Sequence, residues 1–144
     1  MSTSFPEEKN IGVVIVTHSD YGAALLDAAE VIMGKQHACE TVSVDSEREV
    51  SETVANIKES VDKVDTGSGV LVLTDMFGGT PTNLSLSLLG TRHLEVLTGV
   101  NLPMLLKVFG CRSMNLDRLA FEAKEAGGKG IVMAGEILRS KVNG

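Results

Sequence analysis

A histidine, an aspartate and a glycine-rich turn, each placed just after an apolar run, are the residues of this sequence that could do chemistry together. His18 follows the β-branched run Ile11–Val16, in the segment Thr17-His18-Ser19-Asp20. Asp75 follows a second run, Val70–Thr74, and opens Asp75-Met76-Phe77-Gly78-Gly79-Thr80-Pro81-Thr82-Asn83. A carboxylate that accepts from the Nδ1–H of an imidazole fixes its tautomer and leaves Nε2 as a free, more basic nucleophile. It would also stabilise the imidazolium character that develops as Nε2 bonds to phosphorus. By itself a lone histidine is more often structural, and Asp75 reads equally well as a turn-former ending a strand. Gly78 and Gly79 let backbone approach a ligand closely, Thr80 offers a cap, and Pro81 suits the first helical position. Free N–H groups at such a helix start would suit a phosphate. Any strand-to-helix turn can use Gly-Gly and a cap, so it is the three features together that predict phosphoryl transfer through a phosphohistidine.

Other chemistries fit less well. A nucleotide-binding P-loop needs a lysine directly before its Ser/Thr, and Gly79 stands there. His18, Asp20 and Asp75 could in principle ligate a metal, but no H-E-x-x-H or Cys/His cluster supports this, so neither metal nor cofactor is expected. Aspartyl phosphorylation would want an acidic cluster after the first strand to hold Mg²⁺, where this chain has Thr17-His18. His37 lies in a polar turn and His93 at a strand start, both as solvated or packing residues. Met33, Met104 and Met133 read as core filler.

Those residues need elements to hold them. Ile11–Val16 predicts a strand buried on both faces, with Asp20 as N-cap of a helix ending near Gly34. Thr41–Val44 is a short strand, and Glu47–Val64 an amphipathic helix carrying Val50, Val54, Ile57, Val61 and Val64. Val70–Thr74 leads through the glycine-rich turn into a helix reaching about Leu89. His93–Leu97 is a fourth strand, Gly99–Pro103 turns into a short helix, and a further helix stops before Gly127-Gly128. Ile131–Met133 predicts an edge strand. The alternation predicts a single-domain, doubly wound α/β fold, with a mostly parallel sheet of order 2-1-3-4 plus the C-terminal edge strand and helices on both faces. Ligands of such sheets bind beyond the carboxyl ends of the strands, where order reverses, and there the His18 and Asp75 loops are neighbours. The expected organisation is a loose leader over 1–10, the domain over 11–135 and a tail over 136–144.

At 144 residues the chain is long enough for one self-sufficient core. Aromatic content of 3% and a net charge of −6 argue against nucleic acid, which wants stacking platforms and a basic stripe. Cys39 and Cys111 stand without a framework partner, as in reduced, cytoplasmic proteins. Neither a signal-like leader nor a membrane-length apolar run is present, which predicts a protein neither exported nor inserted.

With these residues in view, the chain resembles the IIA domain of the mannose (mannose/fructose/sorbose) class of the bacterial phosphoenolpyruvate:sugar phosphotransferase system, from about Ile11 to Met133. The resemblance rests on Val16-Thr17-His18 leading into a helix with Leu25-Leu26, Ala29-Glu30 and Gly34, on Asp75-x-x-Gly78-Gly79-Thr80-Pro81-x-Asn83, and on Gly99-Val100-Asn101-Leu102-Pro103-Met104-Leu105. It implies a phosphotransferase component in which His18 is phosphorylated by the phosphocarrier HPr and passes the group to a IIB protein. It also implies that Asp75 orients His18, that Gly79 and Thr80 meet the phosphoryl oxygens, and that the subunits form homodimers. The family often has glycine after the histidine and serine before the proline, where this chain has Ser19 and Thr80; the hydroxyl at 80 survives. A regulatory protein whose phosphorylation state controls another protein is the alternative. A non-covalent binding domain would not need the nucleophile and its acid.

Overall fold

Ile11, Val13, Val14, Ile15 and Val16 are all fully buried, which a strand achieves only when both faces of its sheet are covered. In this computed structural model, which describes residues 10–143, Val13–Val16 belong to the central strand β1 (Gly12–His18) and Ile11 stands just before it. It pairs in parallel with β2 (Cys39–Val44) on one side and β3 (Val70–Thr74) on the other, and β3 pairs in parallel with β4 (Leu94–Thr98). The order is β2-β1-β3-β4, as expected, and all four strands are parallel. Alternate side chains feed two cores. Val13, Ile15, Leu71 and Leu73 pack under α1 (Tyr21–Met33), α4 (Leu102–Gly110) and α5 (Leu116–Lys129). Val14, Val16, Val70 and Val72 pack under α2 (Val50–Val64) and α3 (Thr80–Leu86).

Several expectations shift. The α2 stripe is carried by Thr53, Ile57, Val61 and Val64, while Val50, at the first turn, is exposed. Residues 131–133 form no strand. α5 continues through Gly127-Gly128, because Gly127 is a packing position rather than a stop: a Cβ there would fall 2.8 Å from Met104 Cε. The three apolar residues beyond it run between two helices with no ladder beside them, and β propensity without a partner strand does not make a strand. They lead instead into α6 (Ala134–Asn143), where a tail was expected. Met104 is buried, but Met33 and Met133 are exposed at helix ends. The expected leader lies outside the described residues except for Asn10, whose carbonyl accepts from the Thr66 hydroxyl at 2.6 Å.

Two side chains do framework work that the sequence pattern conceals. Asn101 accepts from the Met104 N–H at 2.9 Å, capping α4, while its own amide donates to the Gly127 carbonyl at 3.0 Å and ties α4 to α5. The buried Arg112 guanidinium donates to the Ile11 carbonyl through Nε at 2.9 Å and Nη2 at 2.7 Å, and to the carbonyls of Ala38 and His37. It closes the end of the sheet opposite His18.

Candidate functional site

β1 runs two residues past its apolar stretch, so that His18 is its last residue, in register with Val44 of β2. There the strand stops because Ser19 adopts a left-handed conformation (φ 55°), a region glycine occupies without the Cβ cost. The Ser19 N–H donates to the Val44 carbonyl at 3.1 Å. Asp20 occupies the N-cap position but makes no capping bond; Thr17 Oγ1 instead accepts from the Gly22 N–H at 3.1 Å. The ring is thereby turned outward, with 48% of the side chain exposed, into the crevice between the loops after β1 and β3.

Asp75 is the first residue after β3, and its side chain is only 6% exposed. Its Oδ2 accepts from the His18 backbone N–H at 2.9 Å and lies 2.6 Å from His18 Nδ1. Its Oδ1 accepts from the Met76 N–H at 3.0 Å. Burial pushes this carboxyl up, but the bonds from the His18 backbone and ring, the His18 charge and the Tyr21 hydroxyl outweigh it and hold the group below its ordinary value. Asp75 is therefore ionised near neutral pH, so the proton in the 2.6 Å contact belongs to Nδ1, and in the neutral imidazole it is Nε2 that carries the lone pair. Burial, then the Asp75 charge, raises the Tyr21 phenol, which stays protonated as a donor.

The glycine-rich loop closes over the ring. Gly78 has φ 87°, and a Cβ at Gly79 would stand 2.8 Å from His18 Cε1. The first glycine supplies a left-handed backbone and the second makes room for the imidazole. The helix start lies one residue earlier than expected: Gly79 is the N-cap, so Thr80 forms no cap bond and lines a cavity of about 240 Å³ beside His18. α3 ends at Leu86, because the chain turns at residues 87–91 through bonds such as Leu88 N–H to Ser85 O. Among the described residues no hydrogen bond engages the N–H of Gly78 or Thr80.

Sequence reasoning did not find Tyr21 or Thr82. The Thr82 hydroxyl is buried, 2.6 Å from Thr74 Oγ1 and 2.5 Å from the Met76 carbonyl, and it pins the loop to the end of β3. Its only signal was a polar residue on a helix face that must meet the sheet. His37 and His93 are exposed and away from this cluster. Among the described residues no group of three or more His, Cys, Asp or Glu is placed to hold a metal ion, and no helix is long and apolar enough to cross a membrane.

Residues 12–123 match the EIIA-man family, described as PTS system fructose IIA component. The chain is 32% identical over 124 residues to the PTS system mannose-specific EIIAB component of Escherichia coli strain K12, covering 84% of this chain but 38% of that protein's length. Among solved structures, phosphotransferase system component EIIA from Streptococcus agalactiae superposes with a TM-score of 0.79 at 27% identity, covering 88% of this chain and 98% of that one. The mannose/sorbose specific IIA subunit from Enterococcus faecalis gives a TM-score of 0.79 at 26% identity, covering 86% and 94%.

Proposed function

The chain belongs to the IIA family of the mannose class of the sugar phosphotransferase system, and on that premise we propose that His18 accepts a phosphoryl group from phospho-HPr and passes it to a IIB component for sugar uptake. The observation that carries this reading is the 2.6 Å contact between His18 Nδ1 and Asp75 Oδ2, which assigns the proton of the neutral ring to Nδ1 and makes Nε2 its nucleophilic nitrogen. In the proposed step the Nε2 lone pair attacks phosphorus while the N–P bond to the donor's imidazole breaks and its electron pair returns to that ring. The Nδ1 proton stays in place, and the positive charge that the His18 ring acquires is balanced by Asp75. Gly78, Gly79 and Thr80 offer backbone N–H groups and a hydroxyl to the phosphoryl oxygens. Transfer to the IIB acceptor reverses the step. Residues 11–135 are the unit assigned to this role, working in the cytoplasm and as a homodimer.

Incubation with phosphoenolpyruvate, the general phosphotransferase enzyme and HPr tests it. One acid-labile, alkali-stable phosphoryl group is expected on the wild-type chain and none on His18→Ala. Labelling that survives in His18→Ala, or maps to His37, His93 or Asp75, overturns the assignment. Discharge of the phosphorylated chain by a IIB protein separates sugar uptake from a purely regulatory role.

A further inference from the structure

The proposed phosphohistidine brings a phosphoryl dianion to the carboxylate edge of a chain whose formal net charge is already −6. Asp75 lies against Nδ1 of the ring, and the opening of about 520 Å³ toward Ser19 and Asp20 is lined by Asp20 and Asp45 and, among the described residues, by no cationic side chain. A second cavity, of about 240 Å³, shares His18, Val44, Asp45 and Ser46 with that opening, but Arg48 and Thr80 line it as well. Resting on the reading of His18 as phosphoryl acceptor, we propose that Arg48 binds the phosphoryl oxygens, neutralising their charge in phospho-His18 and in the transfer step.

The fold places Arg48 there by register. Parallel pairing sets Val44 opposite His18, and the Ser19 N–H to Val44 O bond keeps the strand ends together, so the loop after β2 begins at the histidine's side. That loop then turns tightly: the Asp45 carboxylate accepts from the Glu47 N–H at 3.0 Å and the Asp45 carbonyl from the Arg48 N–H at 3.2 Å. The turn occupies one oxygen of Asp45 and carries the Arg48 side chain to the cavity wall. Arg48 is exposed, makes no ion pair and donates no side-chain hydrogen bond among the described residues. A planar fork of donors that stays charged at every working pH suits a phosphoryl group better than any other side chain on this wall. No existing bond must break for it to engage. Val44, Val50 and Leu84 supply apolar surface beneath, which lowers the local dielectric and strengthens the contact.

The test compares wild type, Arg48→Gln, Arg48→Lys and His18→Ala with two donors, phospho-HPr and the small molecule phosphoramidate, and follows the ³¹P resonance of the phosphorylated chains against pH. Arg48→Gln is expected to label more slowly by on the order of tenfold with both donors, since the lost contact is charge-assisted but open to solvent. The second ionisation of its phosphoryl group should move to higher pH, and Arg48→Lys should recover part of both effects. Wild-type rates in Arg48→Gln with an unshifted ³¹P titration would overturn the role of Arg48. So would slowing with phospho-HPr alone, which would make Arg48 a docking residue. Labelling of His18→Ala would instead sink the underlying assignment of His18, so the two failures are distinguishable.

Discussion

One oxygen of Asp75 receives both the backbone N–H and the ring of His18, which fixes where the histidine sits and which of its nitrogens is free. Asp75→Asn preserves the shape but can present an N–H to Nδ1, and it cannot balance an imidazolium. It should accept and discharge phosphoryl groups roughly tenfold or more slowly, read as labelling and transfer rates. Wild-type rates in both directions would reduce Asp75 to a turn-former. The same carboxylate has a stability signature. Its folded pKa lies below the ordinary 3.8, so its contribution is present above that value and is lost as pH falls through the lower folded one. Asp75→Asn should therefore cost about 1–2 kcal/mol near neutral pH, with the gap to wild type closing under acid unfolding below the ordinary carboxylate range. A gap independent of pH would refute this linkage. Cys39 is the inert counterpart: burial pushes its thiol up to about 12 despite the Arg112 charge, so it stays protonated.

At the scale of elements, the site is a meeting of strand ends and the turns that follow them. Gly78 and Gly79, similar in sequence, have different duties, one conformational and one spatial. Gly79→Ala asks nothing unusual of the backbone, since φ is −88°, but its methyl would displace the His18 ring from above. The variant should remain folded to within about 1 kcal/mol while losing most phosphoryl acceptance, measured as melting temperature beside labelling rate. Normal labelling would mean that the ring is free to move and that its contact with the loop is incidental. The Gly99–Leu105 motif, which carried a third of the resemblance, turns out to serve architecture. Its Asn101 caps α4 and ties it to α5. Thr82 plays the equivalent part for the loop after β3.

For the molecule as a whole, the unresolved charge on the design is apolar surface at its C-terminal end. Ile131, Val132 and Met133, with Ile137, Leu138 and Val142 of α6, are exposed, from 46% for Ile137 to 84% for Val142. A stretch of this kind is ordinarily covered, and among the described residues β4 ends the sheet with no strand paired to its outer edge. A second copy of the chain is the expected cover. Light scattering should give a dimer that Ile131→Asp with Leu138→Asp converts to a monomer without loss of fold; a monomeric wild type well above micromolar concentration would count against it. Local sequence determined the four strands and their order and made the loops of His18 and Asp75 neighbours, while leaving Asp75 open between orienting acid and turn-former. Buried β-branched runs, helical periodicity and right-handed crossovers leave few arrangements, and in the one chosen those two loops adjoin. Only the tertiary structure decided that 131–133 is not a strand, that Gly127 packs rather than stops a helix, that Gly79 rather than Thr80 caps α3, and that Arg48 shares a cavity with His18. Each of these depends on which surface a residue meets across the fold, and a strand, a cap or a close approach has no existence until that partner surface is present.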